Sequence, residues 1–224
     1  MPFQTLPLWV QFGAFFLAVN AGIINVLGLV TVLLQSVSHM TGNVSILAMA
    51  LIDWKPESMI FLFLVILCYV IGSFYSGVIL GNSNFRLGRR YGLPMSLVAL
   101  FILICWVLLP YFPRYALLWA SVAMGIQNAM ISYYKGTIIR TTHLSGVLTD
   151  LGLALGYRVR GLQVEKRRIV LHLLILIGFF VGGLLAAAIY PTFKLNSFLV
   201  PAGLSLSLSL VYWIIYFRYR HLQH

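Results

Sequence analysis

Apolar stretches long enough to cross a lipid bilayer recur along the whole 224-residue chain, and this pattern constrains the fold more than any other feature. About 20 helical residues span the hydrocarbon core of a bilayer, at about 1.5 Å of rise per residue. Six runs of 16 to 27 residues approach or exceed this length: 8–34, 58–80, 94–109, 115–134, 169–190 and 197–217. The sequence therefore predicts an all-α integral membrane protein with six transmembrane helices, forming a single membrane domain over residues 1–224.

Composition excludes a soluble protein. Asp, Glu, Lys and Arg make up 8% of the residues and hydrophobic residues 61%, whereas soluble domains carry about 25% charged residues. The formal net charge of +11 would suggest nucleic acid in a soluble protein, but no basic face with interleaved aromatic residues accompanies it. We therefore expect the lipid bilayer as the main partner and no binding of nucleic acid. Whether the chain forms a homo-oligomer stays open.

Two shorter apolar segments, 44–52 and 147–157, lie between the predicted spans. They are too short to cross a bilayer comfortably and too apolar for surface loops. We expect each to form a short re-entrant or half-membrane helix, whose ends are covered by protein or face a watery cavity.

The distribution of basic residues favours this arrangement of six spans and two half-helices. Twelve Lys and Arg residues then fall on one side and three on the other, whereas full crossing of both short segments would give nine against six. The twelve are Arg86, Arg89, Arg90, Lys135, Arg140, Arg158, Arg160, Lys166, Arg167, Arg168, Arg218 and Arg220, and the three are Lys55, Arg114 and Lys194. Because Lys and Arg are enriched in cytoplasmic loops, we expect cytoplasmic termini and cytoplasmic loops at 82–93 and 158–168, with 53–57 external.

The two halves of the chain resemble each other. The matching strings are 38–43 with 142–147 at an offset of 104, 21–25 with 124–128 at 103, and Gly72-x3-Ser76-Gly77 with Gly178-x3-Gly182-Gly183 at 106. Each half contains one span, one half-helix and two further spans, and an odd number of spans turns the second copy upside down. The sequence predicts two inverted three-span repeats, at about 8–110 and 115–217, as in many transporters and channels.

The same strings carry a resemblance to a known family. They are Ala21-Gly22, Ser38-His39-Met40-Thr41-Gly42-Asn43, Gly125-x-Gln127-Asn128, Thr141-Thr142-His143-Leu144-Ser145-Gly146 and Thr149-Asp150-Leu151-Gly152. In this order they resemble the YoaK family of bacterial six-span inner-membrane proteins, catalogued mainly as a domain of unknown function. The resemblance covers essentially the whole chain and implies a multi-pass protein of the bacterial inner membrane, with no accepted activity. Members of that family often carry an acid where Asn25 stands here.

Two histidines, His39 and His143, occupy equivalent places just before the two half-helices. Helix starts expose unpaired N–H groups and the positive end of the helix dipole, so they can hold an anion or a carboxylate. An imidazole there can donate, accept or bind a proton near neutral pH. We expect the two histidines to lie close together near a pseudo-two-fold axis. The structural alternative is that neighbouring hydroxyls cap the half-helices. The capping candidates are Ser38 or Thr41 and Thr142 or Ser145.

Three amide side chains lie within the predicted spans: Asn25, Gln127 and Asn128. An unpaired amide is costly there, so each either bonds to a neighbouring helix or lines a polar path. The predicted solute-binding residues are therefore His39, Thr41, Gly42, Asn43, His143, Ser145, Gly146, Asn25, Gln127 and Asn128.

Asp150 is the one acid that we expect within the membrane, a position that by default suggests function. Its counterpart at the offset of 104 is Ile46, so the carboxylate is not required to build the repeat. The structural interpretation is an ion pair with Arg140 or Arg158. The functional interpretation places Asp150 on the polar path, exchanging a proton or holding a cation beside His143.

Enzyme signatures are poor. The sequence contains no Gly-x-Ser-x-Gly elbow, no His-Glu-x-x-His and no P-loop. His39, His143 and Asp150 lack the spacing of a chelating set, so we expect no metal and no cofactor. The predicted function is a multi-pass transporter or channel for an unidentified small solute, with its path between the two inverted half-helices. The alternatives are an intramembrane enzyme or lipid-handling protein that uses His39 and His143, and a non-transporting membrane scaffold.

Overall fold

The computed structural model describes residues 8–31, 36–81, 89–130 and 141–221, and no strand occurs among them. The helices are α1 (Leu8–Thr31), α2 (Met40–Ile52), α3 (Pro56–Leu80), α4 (Arg89–Leu108), α5 (Pro113–Met130), α6 (Leu144–Val159), α7 (Lys166–Phe193) and α8 (Leu199–His221), with a 3₁₀ turn at Lys194–Phe198. The all-α prediction is confirmed for this part of the chain. Both short apolar segments form helices of their own, α2 and α6, with 13 and 16 residues.

Four segments of the described residues are long and apolar enough to cross a membrane, which indicates a membrane protein. They are Val10–Thr31, Pro56–Leu80, Tyr91–Leu108 and Lys166–Arg218. The fourth contains α7 and nearly all of α8. The helix α5 is outside this set, and it carries the polar residues Ser121, Gln127 and Asn128, all buried against other helices. A helix enclosed by protein needs no apolar outer surface. Six crossing helices therefore stay a prediction.

Side-chain contacts fix the relative directions of the long helices. The contacts are Glu57–Arg114 and Tyr69–Asn128 between α3 and α5, and Phe15–Gly178 and Val26–Gly183 between α1 and α7. In the third pair, Ser96 of α4 contacts Ser209 of α8, and Trp106 of α4 contacts Asn196 in the 3₁₀ turn that leads into α8. In the first two pairs the numbering rises together, so α3 is parallel to α5 and α1 is parallel to α7. In the third pair it runs in opposite senses, so α4 and α8 are antiparallel.

Glycines bring the two parallel pairs into close backbone contact. A Cβ atom on Gly22 of α1 would clash with the carbonyl oxygen of Phe179 in α7, and one on Gly125 of α5 would clash with that of Tyr69 in α3. Small residues at such crossings let helix backbones approach closely. The same contact is therefore made twice, once by each half of the chain.

Two further glycines make the reciprocal contacts. A Cβ atom on Gly182 would clash with the carbonyl oxygen of Val19, and one on Gly72 with that of Val122. These contacts make Gly182 the counterpart of Gly72, at an offset of 110 rather than the 106 read from the sequence. The sequence alignment of this row is therefore wrong by about one helical turn. Gly77 of the same row is exposed, and a Cβ atom placed on it would meet no atom within 4 Å, so helix packing does not require a glycine there.

Candidate functional site

Two helix starts have the same local structure. His39 is the N-cap residue of α2 and His143 that of α6, and neither cap is closed by a side-chain hydrogen bond. The first intrahelical bonds run from Asn43 N to His39 O and from Val147 N to His143 O, both at 3.1 Å. The three N–H groups before each bond have no partner within the helix. The interpretation that Ser38 or Thr41, and Thr142 or Ser145, cap these helices is therefore wrong.

In the first half, hydroxyls bind to a span amide instead. The Oδ1 atom of Asn25 accepts hydrogen bonds from the hydroxyls of Ser36 and of Ser38, the latter at 2.9 Å. Ser36 Oγ also accepts the backbone N–H of His39 at 2.9 Å, and the amide of Asn43 donates to the Ser36 carbonyl at 2.7 Å. Asn43 therefore fixes the chain before α2 and is buried, rather than lining an open path.

In the second half, Asn128 has the corresponding position. Its Nδ2 donates to Thr142 Oγ1 at 2.6 Å and to the Tyr69 hydroxyl at 2.8 Å, and its Oδ1 accepts from Thr141 at 3.2 Å. Asn25–Ser38 and Asn128–Thr142 pair equivalent positions, at offsets of 103 and 104, but with donor and acceptor exchanged. Each half thus ties its helix start to a span asparagine.

The two helix starts meet at one cavity of about 310 Å³. Its lining is Asn25, Ser38, His39, Met40, Thr41, Thr142, His143, Leu144, Ser145 and Phe179. We refer to it as the central cavity. Both predicted histidines belong to it and both are exposed. The residues just before each histidine contact α5: Val37 O accepts from the Ser121 hydroxyl, and Thr142 Oγ1 accepts from the Asn128 amide. Ser121 and Asn128 are two helical turns, about 10 Å, apart along α5.

The two histidines differ in their packing on the helix start. A Cβ atom on Gly42 would lie 2.5 Å from Cδ2 and 3.1 Å from Nε2 of His39, so this imidazole folds over the first turn of α2. A Cβ atom on the equivalent Gly146 would meet nothing within 4 Å. The first turn of α6 is therefore open where that of α2 is covered.

The third predicted amide, Gln127, lies away from the central cavity. It is fully buried, accepts a hydrogen bond from the amide of Asn20 at 2.8 Å, and donates to the Leu17 carbonyl at 2.9 Å. The interpretation that Gln127 lines the path is therefore wrong, and the helix-pairing alternative holds. Asn128 is buried too, and its described contact with the cavity lining is the hydrogen bond to Thr142.

Asp150 also lies outside the central cavity. Its Oδ2 is 3.0 Å from Nη2 of Arg168 and 3.5 Å from Nε2 of His172, both on α7. Arg168, rather than the expected Arg158, is the described partner, and Arg140 lies outside the described residues. The acid faces a second cavity of about 500 Å³ between α6 and α7. This α6–α7 cavity is lined by Asp150, Leu153, Ala154, Tyr157, Gln163, Val164, Glu165, Arg168, Ile169 and His172.

Sequence reasoning missed several residues of these sites. Ser36, Tyr69 and Phe179 contribute to the central cavity or its supports, and His172 and Arg168 to the α6–α7 cavity. The signal for Arg168 and His172 in the sequence is their place in and just after the basic run Lys166-Arg167-Arg168, which the positive-inside pattern explains on its own. Tyr69 and Phe179 carry no signal in the sequence, because their roles depend on helix packing.

A comparison with known protein families identifies the family of this chain. The family described as "Protein of unknown function (DUF1275)" matches residues 13–211. The chain belongs to this family. The resemblance to the YoaK family is compatible with this membership. No curated protein and no solved structure matches the chain.

For this member of the DUF1275 family, the central cavity is lined by side chains that both donate and accept hydrogen bonds and by helix N–H groups that only donate. Its polar lining consists of imidazoles, hydroxyls and one amide, and no carboxylate is present among its described lining residues. The N–H groups at the starts of α2 and α6 that have no partner within their helix add two positive helix-dipole ends. The arrangement can bind a small molecule that carries acceptor oxygens.

Proposed function

We propose that the chain is a multi-pass membrane transporter or channel for a small solute, and that the solute passes through the central cavity. The observation that carries this proposal is that His39 and His143, from the two halves of the chain, line one cavity. Transporters commonly bind their substrate where interrupted helices of two repeats meet.

The helix N–H groups, together with the absence of a carboxylate among the described lining residues, indicate the chemical class of the solute. Two helix N-termini, with two histidines and the hydroxyls of Thr41, Thr142 and Ser145, favour a carboxylate or another group with acceptor oxygens. Fixed N–H donors bind an anion without the rearrangement that a flexible side chain would need. We therefore expect a small carboxylate-bearing solute rather than a cation.

The proposal includes six membrane spans arranged as two inverted repeats. It is supported by the parallel pairs α1–α7 and α3–α5, because each pairs a helix of one half with a helix of the other. The equivalent contacts of Gly22 and Gly125 further support it. The long helix α5, although not apolar enough by composition, would then cross while enclosed by its neighbours.

We further propose a location in the bacterial inner membrane, with both termini and the α6–α7 connection on the cytoplasmic side. At the opposite end, Lys55 pairs with Asp53 at 2.7 Å and Arg114 with Glu57 at 3.4 Å, which leaves that end with little net charge. The positive-inside rule favours this orientation. In intact cells, an impermeant thiol reagent should modify a Lys55→Cys variant and spare an Arg160→Cys variant. Modification in the reverse order would overturn the orientation.

The test of transport is solute flux through proteoliposomes that contain the full chain. Vesicles are loaded with a mixture of small organic acids, sugars and amines, and mass spectrometry identifies what leaves them. We expect selective efflux of an acid, reduced at least tenfold in His39→Ala and His143→Ala variants. A Ser207→Ala variant is the control, because Ser207 is exposed on α8 and bonds only locally to Gly203 in the described structure.

Other outcomes would overturn the proposal. If the detergent-solubilised chain converted one of these solutes into a product without any gradient, the protein would be an intramembrane enzyme. Absence of flux for every class of solute, together with tolerance of both histidine substitutions, would assign a scaffold.

A further inference from the structure

The α6–α7 cavity lies apart from the central cavity and has its own charged lining. Two of the four acidic residues of the chain, Asp150 and Glu165, line it together with Arg168. The His172 side chain forms a buried wall, with 7% of its surface exposed. The volume of the α6–α7 cavity, about 500 Å³, falls in the range of small-molecule sites, about 300–1,000 Å³.

The charged groups of this cavity keep unused binding capacity. Both described contacts of the Asp150 carboxylate are made by Oδ2, one to Arg168 and one to His172. Arg168 uses one guanidinium nitrogen, Nη2, in its described contact, and a guanidinium offers five N–H donors. The remaining carboxylate oxygen and the remaining donors are available to a molecule that carries both a cation and an anion.

The fold does not require these polar groups. The first half builds the equivalent helix pair, α2 and α3, with Ile46 in place of Asp150. At the offset of 110 that the glycine contacts define, the counterparts of Arg168 and His172 are Ser58 and Leu62. The charged cluster therefore belongs to the second half alone, which favours a role in binding over a role in building the repeat.

The surroundings of the cavity suit the polar end of a lipid. Leu155 and Val159 on α6 are 62% and 89% exposed, so that helix presents an apolar outer surface. Leu153 and Ile169 give the cavity an apolar side beside its charged side. At the start of α7, the basic residues next to Arg168 lie where head groups of the bilayer are expected.

We propose that the α6–α7 cavity binds the head group of phosphatidylethanolamine, a zwitterionic lipid with a primary ammonium and a phosphate. The ammonium donates to the carboxylates of Asp150 and Glu165, and Arg168 donates to the phosphate. Charge-assisted hydrogen bonds of this kind are the strong ones in proteins. The acyl chains leave the cavity along its apolar side. This proposal concerns a separate cavity and does not rest on transport.

The charge balance separates this lipid from the other common ones. Inside the cavity, where Arg168 is the one Lys or Arg residue of the described lining, a purely anionic head group would meet the two carboxylates of Asp150 and Glu165, which repel it. A choline head group has the same net charge as ethanolamine, but its quaternary nitrogen has no N–H to donate. The cavity therefore predicts selectivity for the primary ammonium over both.

The test is a lipid titration of the full-length chain in detergent, followed by native mass spectrometry. The probes are dihexanoyl phosphatidylethanolamine, dihexanoyl phosphatidylcholine, dihexanoyl phosphatidylglycerol and free phosphoethanolamine. We expect the ethanolamine lipid to bind at least tenfold more tightly than each of the others. Binding should fall at least tenfold in an Asp150→Asn variant. It should be unchanged in Asp53→Asn, which breaks an exposed ion pair at the other end of the molecule.

A second variant keeps the proposal testable if Asp150→Asn fails to fold. Leu153→Trp fills the cavity from an exposed position and leaves the ion pair of Asp150 with Arg168 intact, so it should also lose the lipid. Equal binding of the glycerol or choline lipid, or wild-type binding by Leu153→Trp, would overturn the proposal. Binding of free phosphoethanolamine as tight as that of the lipid would overturn the lipid assignment and identify a soluble zwitterion as the ligand.

Discussion

Asn25 and Asn128 hold the two helix starts with different sets of hydrogen bonds. Asn25 accepts from the hydroxyls of Ser36 and Ser38 and faces the central cavity. Asn128 accepts from Thr141, donates to the hydroxyls of Thr142 and Tyr69, and is 4% exposed. A carboxylate can replace an acceptor beside a cavity, whereas at the buried position 128 it would place a charge away from water.

We therefore expect Asn25→Asp to be tolerated and Asn128→Asp to be destabilising. The carboxylate at 25 still accepts both hydroxyls and is hydrated by the cavity. The carboxylate at 128 cannot donate to the Thr142 and Tyr69 hydroxyls, which would have to reorient, and it buries a charge, at a cost of at least about 2 kcal/mol. In detergent, the thermal unfolding midpoint should fall by at least about 5 °C for Asn128→Asp and stay near the wild-type value for Asn25→Asp. Equal losses in both variants would contradict this assignment of roles.

Gly42 and Gly146 provide a matched pair at the central cavity. A methyl group at Gly42 displaces the His39 imidazole, while one at Gly146 meets open space. Neither change should lower stability, because Ala is favoured over Gly in a helix by roughly 0.5–1 kcal/mol. We expect Gly42→Ala to reduce solute efflux from proteoliposomes several-fold and Gly146→Ala to leave it unchanged. Wild-type efflux by Gly42→Ala would mean that the position of His39 does not matter.

At the scale of the helices, stability depends on the backbone contacts of α1 with α7 and of α3 with α5. Gly22→Ala and Gly125→Ala each place a methyl group against a carbonyl oxygen, and overpacking of this kind costs about 1–3 kcal/mol. We expect both variants to unfold at lower temperature in detergent, by similar amounts. Gly203→Ala is the control, because its methyl group would meet nothing within 4 Å. A loss in the control as large as in the other two would refute the packing role.

The helices could largely be predicted from the apolar runs, while their ends could not. The run at 169–190 becomes α7 at Lys166–Phe193, and the run at 94–109 becomes α4 at Arg89–Leu108. Apolar runs stop at the first charged residue, but Lys and Arg are good helix formers and continue the hydrogen bonding. The length of a helix is therefore set by its backbone and its caps as well as by hydropathy.

The site could be predicted in part. Pairing of the two strings located both helix starts and both histidines of the central cavity. The role of Gln127 was missed because neighbouring residues on a helix point about 100° apart, so Gln127 faces Asn20 while Asn128 faces Thr142. The partner of Asp150 was missed because Arg168 meets it only through the packing of α6 on α7.

At the scale of the whole molecule, the two halves place one polar cavity between two helix starts. A solute path requires this cavity to be reached by water from both sides of the membrane, in one state or in successive states. A scaffold or a one-sided binding site requires access from one side at most. Side-specific access to the cavity therefore tests the central claim without knowledge of the solute.

The measurement is modification of single cysteines by an impermeant, charged thiosulfonate reagent in right-side-out and inside-out vesicles. Thr41→Cys and Ser145→Cys report on the central cavity, and Ser207→Cys on the outer face of α8 is the control. The native Cys68 and Cys105 are replaced by Ala. We predict that both cavity cysteines react in both kinds of vesicle and that the control reacts in neither. Reaction of Thr41→Cys and Ser145→Cys in only one kind of vesicle, or in none, would contradict a path through the central cavity.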